Sequence, residues 1–116
     1  MKRYRVAVYL TKKGTGIGIE RYEGQKINEI MSLYFSERVS LVSAYILAIS
    51  LIAEESKGEH VFIKVFHTGV DRVITRKCKH DNVVKIRNMK RKLEPTAMTL
   101  AQDAVYRQSS IREILN

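Results

Sequence analysis

The chain has one cysteine (Cys78), one proline (Pro95), and only 12 acidic residues against 21 lysines and arginines in 116 positions. A lone cysteine excludes an internal disulfide and fits a reducing compartment. A single proline with six glycines argues against long disordered segments. Long apolar runs are lacking too. The longest uncharged stretch, Val39 to Ala53, is 15 residues with three serines, too short and too polar to span a bilayer. The opening MKRYRVAVYLTKK alternates apolar and polar residues and builds no apolar signal core. These absences predict a soluble, intracellular, cytoplasmic protein with no membrane association.

A hydrophobic content of 45% and a charged content of 28% are ordinary for a globular chain, and the length fits one domain over residues 1–116. The net charge of +9 is not ordinary. It points to a polyanionic partner, nucleic acid first, the bland alternative being charge kept for solubility. The charge is also unevenly placed: +5 over residues 1–26, −3 over 27–59, +8 over 60–92 and −1 over 93–116.

Alternation of Tyr4, Val6, Val8 and Leu10 with Arg5, Ala7 and Tyr9 predicts a first strand covered in part on both faces. A turn at 12–16, a returning strand at 17–22 and a second turn at 23–26 follow. Residues 27–35 fit either period. A strand is favoured, because a helix running from there to Ser56 would be unusually long. Ser36 is the expected N-cap of a helix that is nearly buried all round, with Glu37 in its first turn and Gly58 just past its end. HVFIKVFHTGVDRVITR, residues 60–76, reads as a strand passing into a helix at 69–79. Asn82 is then read as the cap of a further helix over 83–93, with Val83, Ile86, Met89 and Leu93 inward. Residues 96–107 are read as a last strand and 110–115 as a short helix.

Familiar sites are missing. Gly14-x-Gly16-x-Gly18 lacks dinucleotide-loop spacing and precedes a strand, so it reads as a softened hairpin. Neither a phosphate-loop Lys-Ser pair nor a G-x-S-x-G elbow occurs. Cys78, His80, His60 and His67 do not form the ligand pairs of a structural zinc site. No metal and no cofactor are expected. Tyr4, Tyr9 and Tyr22 can stack bases if exposed, and otherwise are half-buried sheet residues.

Five stretches, VAVYLTKKG, IERYEGQK, SERVSLVSAYILAISLI, VFIKVFHTGVDRVIT and DNVVKIRNMKRKLE, together resemble the ribonuclease H type I fold in layout and apolar spacing over residues 4 to 93. The resemblance implies an α/β domain: a mixed sheet with three antiparallel first strands, helices packed on it, a fourth strand running into a helix, and a basic helical region. Members of that family hold two metal ions with carboxylates. Their places fall here on Thr11 or Leu10, on Ser40 and on His67, with Asp103 the candidate for the fourth. Three anchors are therefore not acids.

The implied function is a catalytically inactive, ribonuclease H-like module binding RNA, an RNA–DNA hybrid or a duplex. Phosphates would be gripped by Lys12 and Lys13, by Arg72, Arg76, Lys77 and Lys79, and by Lys85, Arg87, Arg91 and Lys92, a run free of acids from 85 to 92. The alternatives are a viral or mobile-element accessory using the scaffold for a protein partner or self-association, and a nuclease with relocated acids, for which Glu20, Glu37, Asp71 and Asp103 are the candidates.

Overall fold

Strand β1 (Lys2–Thr11) buries Tyr4, Val6 and Val8 on one face and Ala7 on the other, as its alternation predicts. This computed structural model describes residues 2–90 and 95–115. β2 (Gly14–Glu23) and β3 (Lys26–Phe35) continue antiparallel from β1, so the ambiguous segment is a strand. After helix α1 (Leu41–Glu55), β4 (Val61–Val65) lies parallel to β1. Helix α2 (Val70–Lys77) leads to β5 (Val83–Asn88), parallel to β4. Helix α3 (Thr96–Arg107) and β6 (Ile111–Ile114), antiparallel to β3, complete the chain. The result is one six-stranded mixed sheet in the order β5-β4-β1-β2-β3-β6.

The two helices on one face bury the main core. Tyr45, Ile49 and Ile52 of α1 and Ile74 of α2 meet Val6, Ile17, Ile19, Ile63 and Val65 of the sheet. α1 starts four residues later than predicted. Ser40, not Ser36, is its N-cap and accepts the Ser43 N–H at 3.1 Å, and no acid stands in the first turn. Nor is α1 buried all round: Leu47 and Leu51 are exposed. Asn82 caps no helix of its own. Its side-chain amide donates to the carbonyls of Ala53 (2.9 Å) and Ser56 (3.1 Å), satisfying free acceptors at the end of α1.

Three C-terminal expectations are corrected. Residues 83–88 form a strand, and so the basic region is only partly helical. A register shift opposite Val61/Phe62 pairs Val61 with Val83 but Phe62 with Lys85. The extra residue flips the alternation, leaving core-facing Val83 and Ile86 three apart, a helical spacing made by a bulge. Residues 96–107 are helical, burying Ala97, Met98, Ala101, Ala104 and Val105 on one side. Residues 111–114 are a strand, where Arg112 on β6 pairs with Glu29 of β3 and Glu55 of α1. Burial alone would raise the Glu29 carboxyl, but hydrogen bonds and charge from Arg112, then Arg21, outweigh it and hold Glu29 below its ordinary value. The inward position expected for Leu93 lies outside the described residues.

α3 packs on the opposite face, and the glycine motif is what admits it. A Cβ built on Gly16 would lie 1.9 Å from the Ala101 carbonyl oxygen, and one on Gly18 would lie 1.8 Å from that of Ala97. The helix backbone therefore rests directly on β2. Gly18→Ala should lower stability by about 1–3 kcal/mol or more through overpacking, read as a lower urea midpoint at unchanged slope. A variant as stable as the wild type would refute this contact.

Candidate nucleic-acid interface

The carboxyl ends of β4 and β5 meet at His67, beside the later part of β1. Tyr45, arriving from α1, accepts the His67 backbone N–H at 3.3 Å, and its hydroxyl lies 2.6 Å from His67 Nδ1. Donor and acceptor in the hydroxyl–Nδ1 contact follow the imidazole tautomer: with the ring proton on Nε2 the phenol donates to Nδ1, and with it on Nδ1 the phenol oxygen accepts a second hydrogen bond. Asn88, the last residue of β5, donates its amide to the His67 carbonyl at 2.9 Å, while its buried Oδ1 has no partner among the described residues. The rings of Phe66 and Tyr45 stand edge-on to the imidazole. Burial pushes His67 below its ordinary pKa and the Tyr45 phenol well above its own.

The three polar positions singled out in the sequence do not converge. Val6 pairs with Val65, and the Phe66 N–H donates to the Val6 carbonyl. The same offset sets Val8 level with His67. Thr11 lies three residues further, roughly 10 Å along the strand. Its hydroxyl serves the turn, accepting the Lys13 N–H at 3.0 Å and donating to the Gly14 carbonyl. Ser40 is occupied as a helix cap. The groups gathered at the ends of β4 and β5 are thus His67 and Asn88, with Tyr45 from α1 and Val8 from within β1, and of these the sequence singles out His67 alone. Tyr45 reads in the sequence as one more apolar-face residue of its helix, and Asn88 lies in the segment whose spacing imitates a helix.

The four replacement acids are also apart. Asp103 is exposed on α3, across the sheet. Glu37 is exposed before α1, and Asp71 stands in the first turn of α2. Glu20 is buried on the α3 side of β2 and receives the Tyr22 hydroxyl at 3.2 Å. Burial raises the Glu20 carboxyl above its ordinary value. Among the described residues, no group of three or more histidines, cysteines, aspartates or glutamates is placed to hold a metal ion.

The cations fare better. A groove of about 560 Å³ runs between α2 and the edge strand β5, lined by Arg72, Arg76, Lys79, Lys85 and Arg87. Arg72 and Arg76 share a helix face by their spacing of four, while Val70 and Ile74 anchor the other side in the core. Asp71 and Asp81 also line the groove, yet none of its five cations forms an ion pair among the described residues. Lys77 is exposed on α2 but outside the groove lining, and Lys12 and Lys13 sit in the β1–β2 turn. Arg91 and Lys92 lie outside the described residues. None of the three tyrosines offers a free ring: Tyr4 is buried with its hydroxyl 2.9 Å from Ser56 Oγ, Tyr22 is buried, and Tyr9 is partly buried beside the Ala7 cluster.

A histidine kept neutral by burial leaves stability unchanged above its unfolded pKa, near 6.5. As pH falls below that value the unfolded chain takes the proton first, so stability is lost down to the lower folded pKa. Urea midpoints should therefore fall as pH drops below about 6.5, and fall less in His67→Gln. Identical pH slopes for the two proteins would show that His67 does not titrate this way.

Among the described residues, no helix is long and apolar enough to cross a membrane. Comparison of the chain with protein families, curated proteins and solved structures yields no match.

Proposed function

We propose that this chain is a non-catalytic, ribonuclease H-like module that binds nucleic acid through the basic groove between α2 and β5. The fold-level reading is supported by the order of elements: an antiparallel β1–β2–β3 start, a helix packed on it, and β4 running into α2. The single observation that carries the binding role is the gathering of Arg72, Arg76, Lys79, Lys85 and Arg87 along one groove, where five cations outnumber Asp71 and Asp81 and none forms an ion pair among the described residues. Like charges gathered this way repel, and phosphates neutralise them with release of counterions. RNA, an RNA–DNA hybrid or a duplex is the partner this reading names.

Triple reversal of Arg72, Arg76 and Lys79 to glutamate should abolish binding of a hybrid or duplex at physiological salt. Single neutralisations should each flatten the dependence of log K on log salt by about 0.9 for every phosphate that is no longer neutralised. Fluorescence anisotropy across a salt series measures both. Unchanged affinity in the triple variant would end this reading.

The non-catalytic part rests on what replaces carboxylates at the strand ends. Tyr45, His67 and Asn88 supply no negative charge to offset two divalent ions. Hybrid, duplex and single strands incubated with magnesium or manganese should remain intact. Cleavage that Asp71→Asn or Asp103→Asn removes would show relocated acids at work. A protein-partner role is favoured by one observation, the exposure of Leu47 and Leu51 on α1. Light scattering that finds an oligomer with no nucleic-acid shift would support it instead.

A further inference from the structure

Among the described residues, the face of the sheet that carries α3 is only partly covered. α3 packs on β2, β1 and β3, and its first turn rests at Gly18, level with Ala7 of β1. The half of that face toward β4 and β5 presents a different set of side chains. Pleating sets Phe62 and Lys64 opposite to buried Val61, Ile63 and Val65, and Arg3 and Arg5 opposite to buried Tyr4 and Val6. Past the bulge, Lys85 and Arg87 fall on this same face, so they border both this surface and the groove.

The register makes two rows. In one, Phe62 stands directly between Arg3 of β1 and Lys85 of β5. In the other, Lys64 stands directly between Arg5 and Arg87. Neighbouring strands are about 4.8 Å apart, so three cations lie side by side, an arrangement that disfavours the sheet on its own. Arg5 is partly offset, since its guanidinium lies 4.4 Å from the centre of the Tyr22 ring and beside Glu20. Arg3, Lys64, Lys85 and Arg87 form no ion pair among the described residues. A depression of about 190 Å³ is lined by Phe62, Tyr22 and Gly24 with Arg3, Arg5 and Lys64.

We infer that this open half-face is a binding surface for single-stranded nucleic acid, with a base stacked on Phe62 and the flanking phosphates held by Arg3, Lys64, Lys85 and Arg87. A partly exposed ring framed by cations on both neighbouring strands joins the two elements that single strands need, a π-face for a base and positive charge along the backbone. A duplex keeps its bases stacked inside and cannot use the ring. The surface is therefore separate in chemistry from the groove, though it shares the cations of β5.

The test uses the full chain and labelled single strands of about twelve nucleotides, in RNA and DNA arms, beside a hairpin duplex. Phe62→Ala should weaken single-strand binding roughly tenfold or more, with the salt slope and the duplex affinity unchanged. Phe62→Tyr should restore binding, and Phe62→Leu, which keeps the apolar bulk, should not. The leucine variant and a urea midpoint for each protein separate loss of the ring from loss of the fold. Arg3→Gln and Lys64→Gln should each flatten the salt slope by about 0.7. Wild-type protein that ignores single strands, or leucine and alanine variants that bind them as tightly as wild type, would overturn the inference. Reversal of Arg72, Arg76 and Lys79 reports on the groove independently, so either surface can fail while the other stands.

Discussion

Everything on the second face of the sheet follows from the contact of α3 with β2. Gly16 and Gly18 remove the side chains that would hold a helix at normal distance, and Ala97 and Ala101 remove them from the helix side. Close approach of the two backbones then fixes α3 over β2, with β1 and β3 at its flanks. A helix held there cannot cover β4 and β5. Among the described residues, the same contact that seals half of this face therefore leaves the cationic half open, and it does so with residues that carry no charge.

The opposite face obeys a different rule. Its core is built from side chains of α1, α2 and five strands, and a polar cluster lies where β4 and β5 end. Tyr45 reaches that cluster from within the core, its hydroxyl satisfied by the His67 ring and backbone. Burying a phenol and a neutral imidazole this way costs far less than burying carboxylates without ions to match them. The cluster is a network of neutral hydrogen bonds in which the Asn88 Oδ1 is left without a partner among the described residues.

Much of the first two thirds of the chain is legible in the sequence because its apolar spacing is simple. β1, β2 and β4 alternate strictly, and α2 carries Val70 and Ile74 four apart. Even β3, which fits both periods, is resolved by a length argument. The last third misleads for identifiable reasons. A bulge gives β5 the spacing of a helix. α3 buries mostly alanines against glycines, and alanine contributes little to a hydrophobic pattern, so the helix leaves a weak trace. Asn82 has the residue type of a helix cap and does cap one, but at the carboxyl end of α1, a contact between residues some 29 positions apart. The basic groove is legible as a set of cations. That Lys12, Lys13 and Lys77 stand outside it, and that Phe62 stands among cations, emerges only from the strand register.

The two margins of the sheet are guarded unequally. At one border β6 is only four residues long, whereas at the other the outer side of the six-residue β5 is unpaired among the described residues and carries Lys85 and Arg87. Charged side chains at an open edge disfavour pairing with a second chain. A polyanion that screened those two side chains would weaken that protection, so charge neutralisation at this border would also bear on pairing between copies.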